Sequence, residues 1–139
     1  SLSSNFVRAC CEDNLGNIWI GTFNGLNRYN KITGLFQNHT ANDTQADGLT
    51  HSSIWCIVKD NQGTLWLGTY FGGVNYFNPE YEIYTRYSYS SNEKKGLSNP
   101  VVGRTIEDRD GNLWIGTEGG GLNYYNRRTR EFKWYRPQE

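Results

Sequence analysis

Apolar residues along this chain fall in short runs separated by Gly, Asn, Asp and Thr, a pattern that predicts strands and tight turns. Val7–Asp13, Ile54–Asp60 and Val102–Asp108 each open with apolar residues and run into a turn carrying Asp or Asn with Gly, which is hairpin chemistry. The next runs, Ile18–Thr22, Leu65–Thr69 and Leu113–Thr117, are apolar at consecutive positions, so both faces of those strands are expected to be buried. Leu26–Asn30, Val74–Asn78 and Leu122–Asn126 alternate in part. Phe36–His39, Tyr84–Tyr87 and Phe132–Tyr135 are the most polar, as an outer edge requires. Four antiparallel strands with a doubly buried second strand describe a propeller blade. The predicted fold class is all-β, with three four-stranded antiparallel blades packed face to face.

The unit is a true repeat. Asp13 to Thr22, Asp60 to Thr69 and Asp108 to Thr117 share one pattern, with Trp19, Trp66 and Trp114 spaced 47 and 48 residues apart. Leu2-Ser3, Leu49-Thr50 and Leu97-Ser98 recur upstream with the same two spacings. The one-residue difference lies between Trp and the later Asn: 11 residues from Trp19 to Asn30, but 12 from Trp66 to Asn78 and from Trp114 to Asn126. An insertion slips a strand's register but is tolerated in a turn, so it is assigned to the turn after Gly-Thr. The predicted blades are 1–47, 48–95 and 96–139.

Composition narrows the partners. The 139 residues carry 14 Lys+Arg against 14 Asp+Glu, so the basic excess that nucleic acid or an anionic membrane surface demands is missing. The longest apolar run, Ile54 to Val58, is too short to span a bilayer. Residues 1–12 lack the basic start and apolar core of a signal peptide. Gly at 16, Tyr at 10 and Trp at 5 suit strands and turns. Cys10, Cys11 and Cys56 form no C-x-x-C pair and are expected to be buried free thiols, and no metal or cofactor is expected. Asp108-Arg109-Asp110-Gly111-Asn112 has the opening of a calcium loop. Leu15 and Gln62 replace Asp110 in the other units and no bidentate Glu follows, so a hairpin turn is the expected role.

The pattern of Glu-Asp, Gly-Asn, Leu-Trp-Ile-Gly-Thr, Gly-Gly-Leu-Asn and Tyr-Asn, nearest its full form from Glu107 to Asn126, resembles the two-component regulator propeller repeat. The resemblance covers essentially the whole chain. It implies the sensor region of a bacterial hybrid two-component regulator, periplasmic, ahead of a membrane helix and a histidine kinase, in systems often controlling polysaccharide use. Such sensors carry more repeats, so the expectation is an excised portion of a longer sensor or a short stand-alone relative.

Within that frame, Trp19, Trp66 and Trp114 are expected in the interblade core and not as sugar platforms. His39 aligns with Tyr87 and Tyr135 in an aromatic slot of the edge strand, while His51 has no repeat equivalent with similar chemistry. Residues that break the repeat are free of its packing constraint. At the end formed by the turns after the second strand and by the interblade connectors, these are Phe23 and Asn24, Tyr70 and Phe71, and Glu118 and Gly119. The connectors differ too, through Asp43, Asp47, Glu93, Lys94 and Lys95. Arg8 and Trp55, aligned with Gly103, are expected to line the central channel there. Phe23, Tyr70 and Phe71 could stack on sugar rings. Asn24 and Glu118 could hydrogen-bond hydroxyls, and Arg8 and Trp55 complete the candidate ligand-binding set. The leading expectation is a non-enzymatic sensor segment for a carbohydrate or other extracellular ligand. The alternatives are a structural or dimerisation module and, further off, a propeller lyase or hydrolase fragment. Three blades leave two apolar end faces, which predicts either a head-to-tail homodimer closing a six-bladed ring or neighbouring repeats of a parent receptor.

Overall fold

A computed structural model describes residues 1–41, 49, 51, 53–81 and 83–137. The first sheet holds β1 (Val7–Glu12), β2 (Ile18–Thr22), β3 (Gly25–Tyr29) and β4 (Phe36–His39). The second holds β5 (Ile54–Lys59), β6 (Leu65–Thr69), β7 (Val74–Asn78) and β8 (Ile83–Tyr87). The third holds β9 (Val102–Glu107), β10 (Leu113–Thr117), β11 (Leu122–Asn126) and β12 (Glu131–Tyr135). Each sheet pairs its strands antiparallel in chain order. The innermost strands β1, β5 and β9 lie side by side, so the three sheets are successive propeller blades around one axis. The border expected at residues 47 and 48, with Thr50, Asp43 and Asp47, lies outside the described residues.

The first strand of each blade stops one residue short of the expected Asp, because that residue builds the turn. Asp60 Oδ1 accepts the N–H groups of Gln62 (2.9 Å) and Thr64 (3.0 Å), and its Oδ2 accepts the indole N–H of Trp66 (2.9 Å). Asp13 does the same for Leu15, Asn17 and Trp19, and Asp108 for Asp110, Asn112 and Trp114. Each carboxylate therefore satisfies the turn amides and anchors the tryptophan of the following strand. This assigns Asp108 to Asn112 as a turn. In the first blade, β3 begins at Gly25 and Asn30 lies beyond it, its side chain accepting from the amides of Ile32 and Thr33.

The core lies between blades. Trp19, Leu26, Ile54, Leu65, Leu67 and Phe77 join the first blade to the second, and Trp66, Val74, Val102, Leu113, Ile115 and Tyr125 join the second to the third. Burying such side chains contributes about 1.5–3 kcal/mol each. Among the described residues, β6, with a blade on either side, is the strand buried at every position. The expectation of a doubly buried second strand fails for β2 and β10, each lacking one neighbouring blade. Trp19 and Trp66 are sealed at 0% and 1% exposure, but Trp114 is half-buried on the outward face of the third blade. The same asymmetry leaves Cys10 exposed, contrary to expectation, while Cys11 and Cys56 are partly covered; all three are free thiols.

The glycine of the Trp-x-Gly-Thr motif leaves room for the first strand of the next blade at both seams. A Cβ on Gly68 would lie 2.8 Å from Val102 Cγ1, and one on Gly21 would lie 2.6 Å from Ile54 Cγ2. Gly68→Ala should therefore overpack the second seam and destabilise the chain by about 1–3 kcal/mol in urea unfolding. Asp60→Ala removes the acceptor of four N–H donors, from Gln62, Thr64, the Trp66 indole and Arg127, and should cost about 3 kcal/mol or more in the same assay. The Trp114 indole and the turn amides hold the Asp108 carboxyl below its ordinary value. Its stabilisation is thus present above the unfolded-state pKa and lost as pH falls through the lower folded value. Asp108→Asn should remove that part of the acid dependence, read as tryptophan fluorescence against pH.

Candidate ligand site at the bulged inner strands

The site is built by a defect repeated in each innermost strand. Val7 pairs with Thr22 and Ala9 with Gly21, so Arg8 is an extra residue with no partner of its own. Trp55 stands in the same way between Ile54 and Cys56 in the second blade. In the third, Gly103 and Arg104 together oppose Gly116. A bulge of this kind twists the strand and re-aims the side chain it carries. Here it presents Arg8, Trp55 and the side-chain gap of Gly103 at the axis.

A second set of residues is fixed beside the bulges. The N–H groups of Phe23, Tyr70 and Glu118 donate to the carbonyls of Phe6, Ser53 and Val101, at 3.0, 3.1 and 3.0 Å. Each turn residue is thereby held next to the bulged residue of its own blade. The guanidinium of Arg8 lies 5.3 Å from the Phe23 ring and 4.9 Å from the Trp55 ring, bridging two blades. Trp55 stacks on Tyr70 at 5.2 Å and 23°, and Tyr70 meets Phe71 edge-on at 4.8 Å. The outcome is a ladder running Phe23, Arg8, Trp55, Tyr70, Phe71 across one end of the molecule. A Cβ on Gly103 would approach Glu118 Oε1 to 3.4 Å, so the missing side chain leaves room beside a carboxylate.

Beneath the ladder, Arg8, Trp55, Cys56, Gly103, Arg104 and Glu118 are among the residues lining an open cleft of about 620 Å³. It offers one aromatic face, that of Trp55, two guanidinium groups and one carboxylate. Burial pushes the Cys56 thiol upward, with the Thr105 hydroxyl bond opposing it, so this sulfur is not poised as a nucleophile.

Six of the seven expected site residues thus surround one ladder and cleft. Asn24 does not line the cleft; its backbone N–H donates to Thr22 Oγ1 at 3.0 Å and its side chain is exposed. Glu93, Lys94 and Lys95 form a single 3-10 turn packed on β12, with Glu93 accepting the backbone N–H of Trp134, and they too lie outside the cleft lining. Three residues were missed. Phe6 extends the ladder beyond Phe23 at 6.3 Å, and His51, whose Nδ1 accepts from Ser53, sits 6.3 Å from Tyr70. Arg104 lines the cleft. His51 could have been found because its repeat positions carry different chemistry, Ser4 and Asn99. Arg104 gave no signal without knowledge of the bulge.

A family model described as the two component regulator propeller matches residues 1–24, 48–71 and 96–119. Each match runs through the first two strands and ends in the turn that carries the ladder residues. The extracellular domain of a hybrid two component system from B. thetaiotaomicron superposes with a TM-score of 0.88 at 23% identity. The match covers 96% of this chain and 19% of that one, so this chain spans about a fifth of the length of that relative. The extracellular domain of a one component system from B. thetaiotaomicron gives a TM-score of 0.55 at 20% identity, covering 96% and 25% of the two chains. Virginiamycin B lyase from Staphylococcus aureus gives 0.70 at 14%, covering 96% and 42%. At these identities the likeness is one of fold. No curated protein sequence matches the chain.

The ladder residues are partly exposed and sit outside both interblade cores. Arg8→Ala, Tyr70→Ala and Phe71→Ala should each lower unfolding free energy by less than about 1 kcal/mol, in contrast to Trp66→Ala at about 3–5 kcal/mol. Urea denaturation of the four variants checks the contrast.

Proposed function

Since this chain belongs to the two component regulator propeller family, we propose that it is a ligand-sensing segment of a bacterial two-component regulator, placed outside the cytoplasm and acting by binding without catalysis. The ligand proposed for the ladder and cleft is a carbohydrate. The observation that carries this reading is the Arg8–Trp55–Tyr70 stack, which gathers unrepeated residues from two blades at one end of the axis. Sugar rings present C–H faces that pack on aromatic planes and hydroxyls that both donate and accept. Trp55, Tyr70 and Phe71 would supply the planes, Arg8 and Arg104 the donors and Glu118 the acceptor. The extracellular origin of the related domains supports the placement. Among the described residues no helix is long and apolar enough to cross a membrane. Transmission of the signal to a kinase would belong to the rest of the regulator.

Isothermal titration against a panel of oligosaccharides tests the reading. At least one should bind, and Trp55→Ala and Tyr70→Ala should each weaken it by about tenfold or more while leaving the fold intact. Binding by none would favour a purely structural module. Turnover of a sugar would instead place the chain among enzymes.

A further inference from the structure

The repeat is broken in a second place, at the opposite end of the axis from the ladder, where the turn after β5 meets the turn after β11. There the second and third blades border a pocket of about 290 Å³. We propose that this pocket is a second binding site, which holds the oxyanion group of an acid no larger than a single sugar ring.

The walls supply donors. Gln62, Thr85 and Tyr87 come from the second blade, and Tyr125, Arg127 and Arg130 from the third; none of the lining residues is acidic. Both walls belong to the seam between these two blades, so the pocket involves neither outer face of the three-blade unit. Arg127 uses its terminal nitrogens to hold the seam. One donates to Asp60 Oδ2 at 2.7 Å and lies 3.6 Å from Glu107, and the other donates to Asn61 Oδ1 at 3.3 Å. Its Nε is buried and has no hydrogen-bond partner. An unpaired buried donor is costly, and beside a pocket it marks a place for an acceptor. The two nearby carboxylates do not line the pocket and are occupied. Asp60 serves its turn and the Trp66 indole, and Glu107 accepts the backbone N–H of Asn61 at 3.1 Å.

Arg130 supplies the charge. It is exposed and, among the described residues, has no carboxylate partner. Its backbone stands at φ 60°, in the left-handed region that favours glycine. Gly34, at φ 73°, holds the same place in the first blade. There its N–H donates to the Asn30 carbonyl at 2.8 Å, as that of Arg130 donates to Asn126 at 2.7 Å. The turn suits glycine, and the third blade places a guanidinium in it against that preference. Such a residue beside a pocket points to function more than to folding. The hydroxyls of Tyr87 and Tyr125 meet at 2.9 Å, so one proton is used between them and the other remains to donate into the pocket. Burial pushes the Tyr125 phenol upward and the Tyr87 hydroxyl adds to the effect, which keeps it a protonated donor. These features are not common to the repeat, since the first seam has Phe77, Pro79 and His39 where the second has Tyr125, Arg127 and Tyr87. Carboxylate and sulfate oxygens both satisfy donors of this kind. The volume lies near the lower limit of about 300 Å³ for small-molecule sites, which suits one ring and is too small to enclose an oligosaccharide.

Isothermal titration of the full chain at low salt with glucuronate, glucose sulfate and glucose tests the site. At least one of the two acids should bind with a Kd of about 1 mM or tighter, and glucose should not. The tighter acid identifies which oxyanion the pocket takes. Arg130→Gly should weaken that binding by about tenfold or more while keeping or raising the urea midpoint, because glycine suits φ 60°. Tyr125→Phe, which installs the residue type of Phe77 in the first seam, should weaken it by about threefold or more with the fold intact. In chain labelled with fluorotryptophan, the acid should move the resonance of Trp66, which lines the pocket, and leave that of Trp55 fixed. This readout separates the site from the ladder, whose own binding can fail without affecting it. Binding of neither acid, equal binding of glucose, unchanged affinity in Arg130→Gly, or a response at Trp55 alone overturns the proposal.

Discussion

One contact joins every level of this structure: the carboxylate of Asp13, Asp60 or Asp108 holding the indole N–H of the tryptophan six residues on. A large aromatic ring can be buried between two sheets only if its polar N–H finds a partner, and here the partner is the residue that also closes the preceding hairpin. Hairpin geometry and interblade packing therefore depend on the same side chain. Because Asp60 also receives Arg127 from the next blade, the contact extends across the seam. The glycine two residues after the tryptophan completes the device by letting the next blade approach.

With the blade held by its turn and seam, the inner strand can carry a bulge without losing its sheet. The bulge recurs in all three blades, yet its side chains do not: arginine, tryptophan and glycine occupy its first position. A common backbone feature thus displays different chemistry in each blade, which is how a repeat can shape one asymmetric site. The single-residue length difference falls in the neighbouring turn, two residues between Thr22 and Gly25 but three between Thr69 and Gly73. Variation in side chain and in loop length is concentrated at one end of the axis, as expected when packing constrains the rest.

Most of the architecture was legible because the repeat states the same constraints three times. Strand order, the interblade position of Trp19 and Trp66 and the turn carrying the insertion all followed from periodicity. Strand ends were not, since Asp13 reads as the last residue of an apolar run until its carboxylate is seen serving the turn. The half-buried Trp114 was hidden for another reason: identical motifs suggest identical burial, and the number of neighbouring blades decides otherwise. At the candidate site, the alignment of Arg8, Trp55 and Gly103 picked out three residues that line one cleft. Only the register shift explains why Arg104 also lines the cleft.

The claim that the bulged ladder is where a ligand acts can be tested with a single spectroscopic titration. Chain labelled with fluorotryptophan carries five reporters, at positions 19, 55, 66, 114 and 134. As a bound oligosaccharide is titrated in, the fluorine resonance of Trp55 should move while those of Trp19 and Trp66, sealed between blades, stay fixed. A response at the seam tryptophans with Trp55 unchanged would contradict the account.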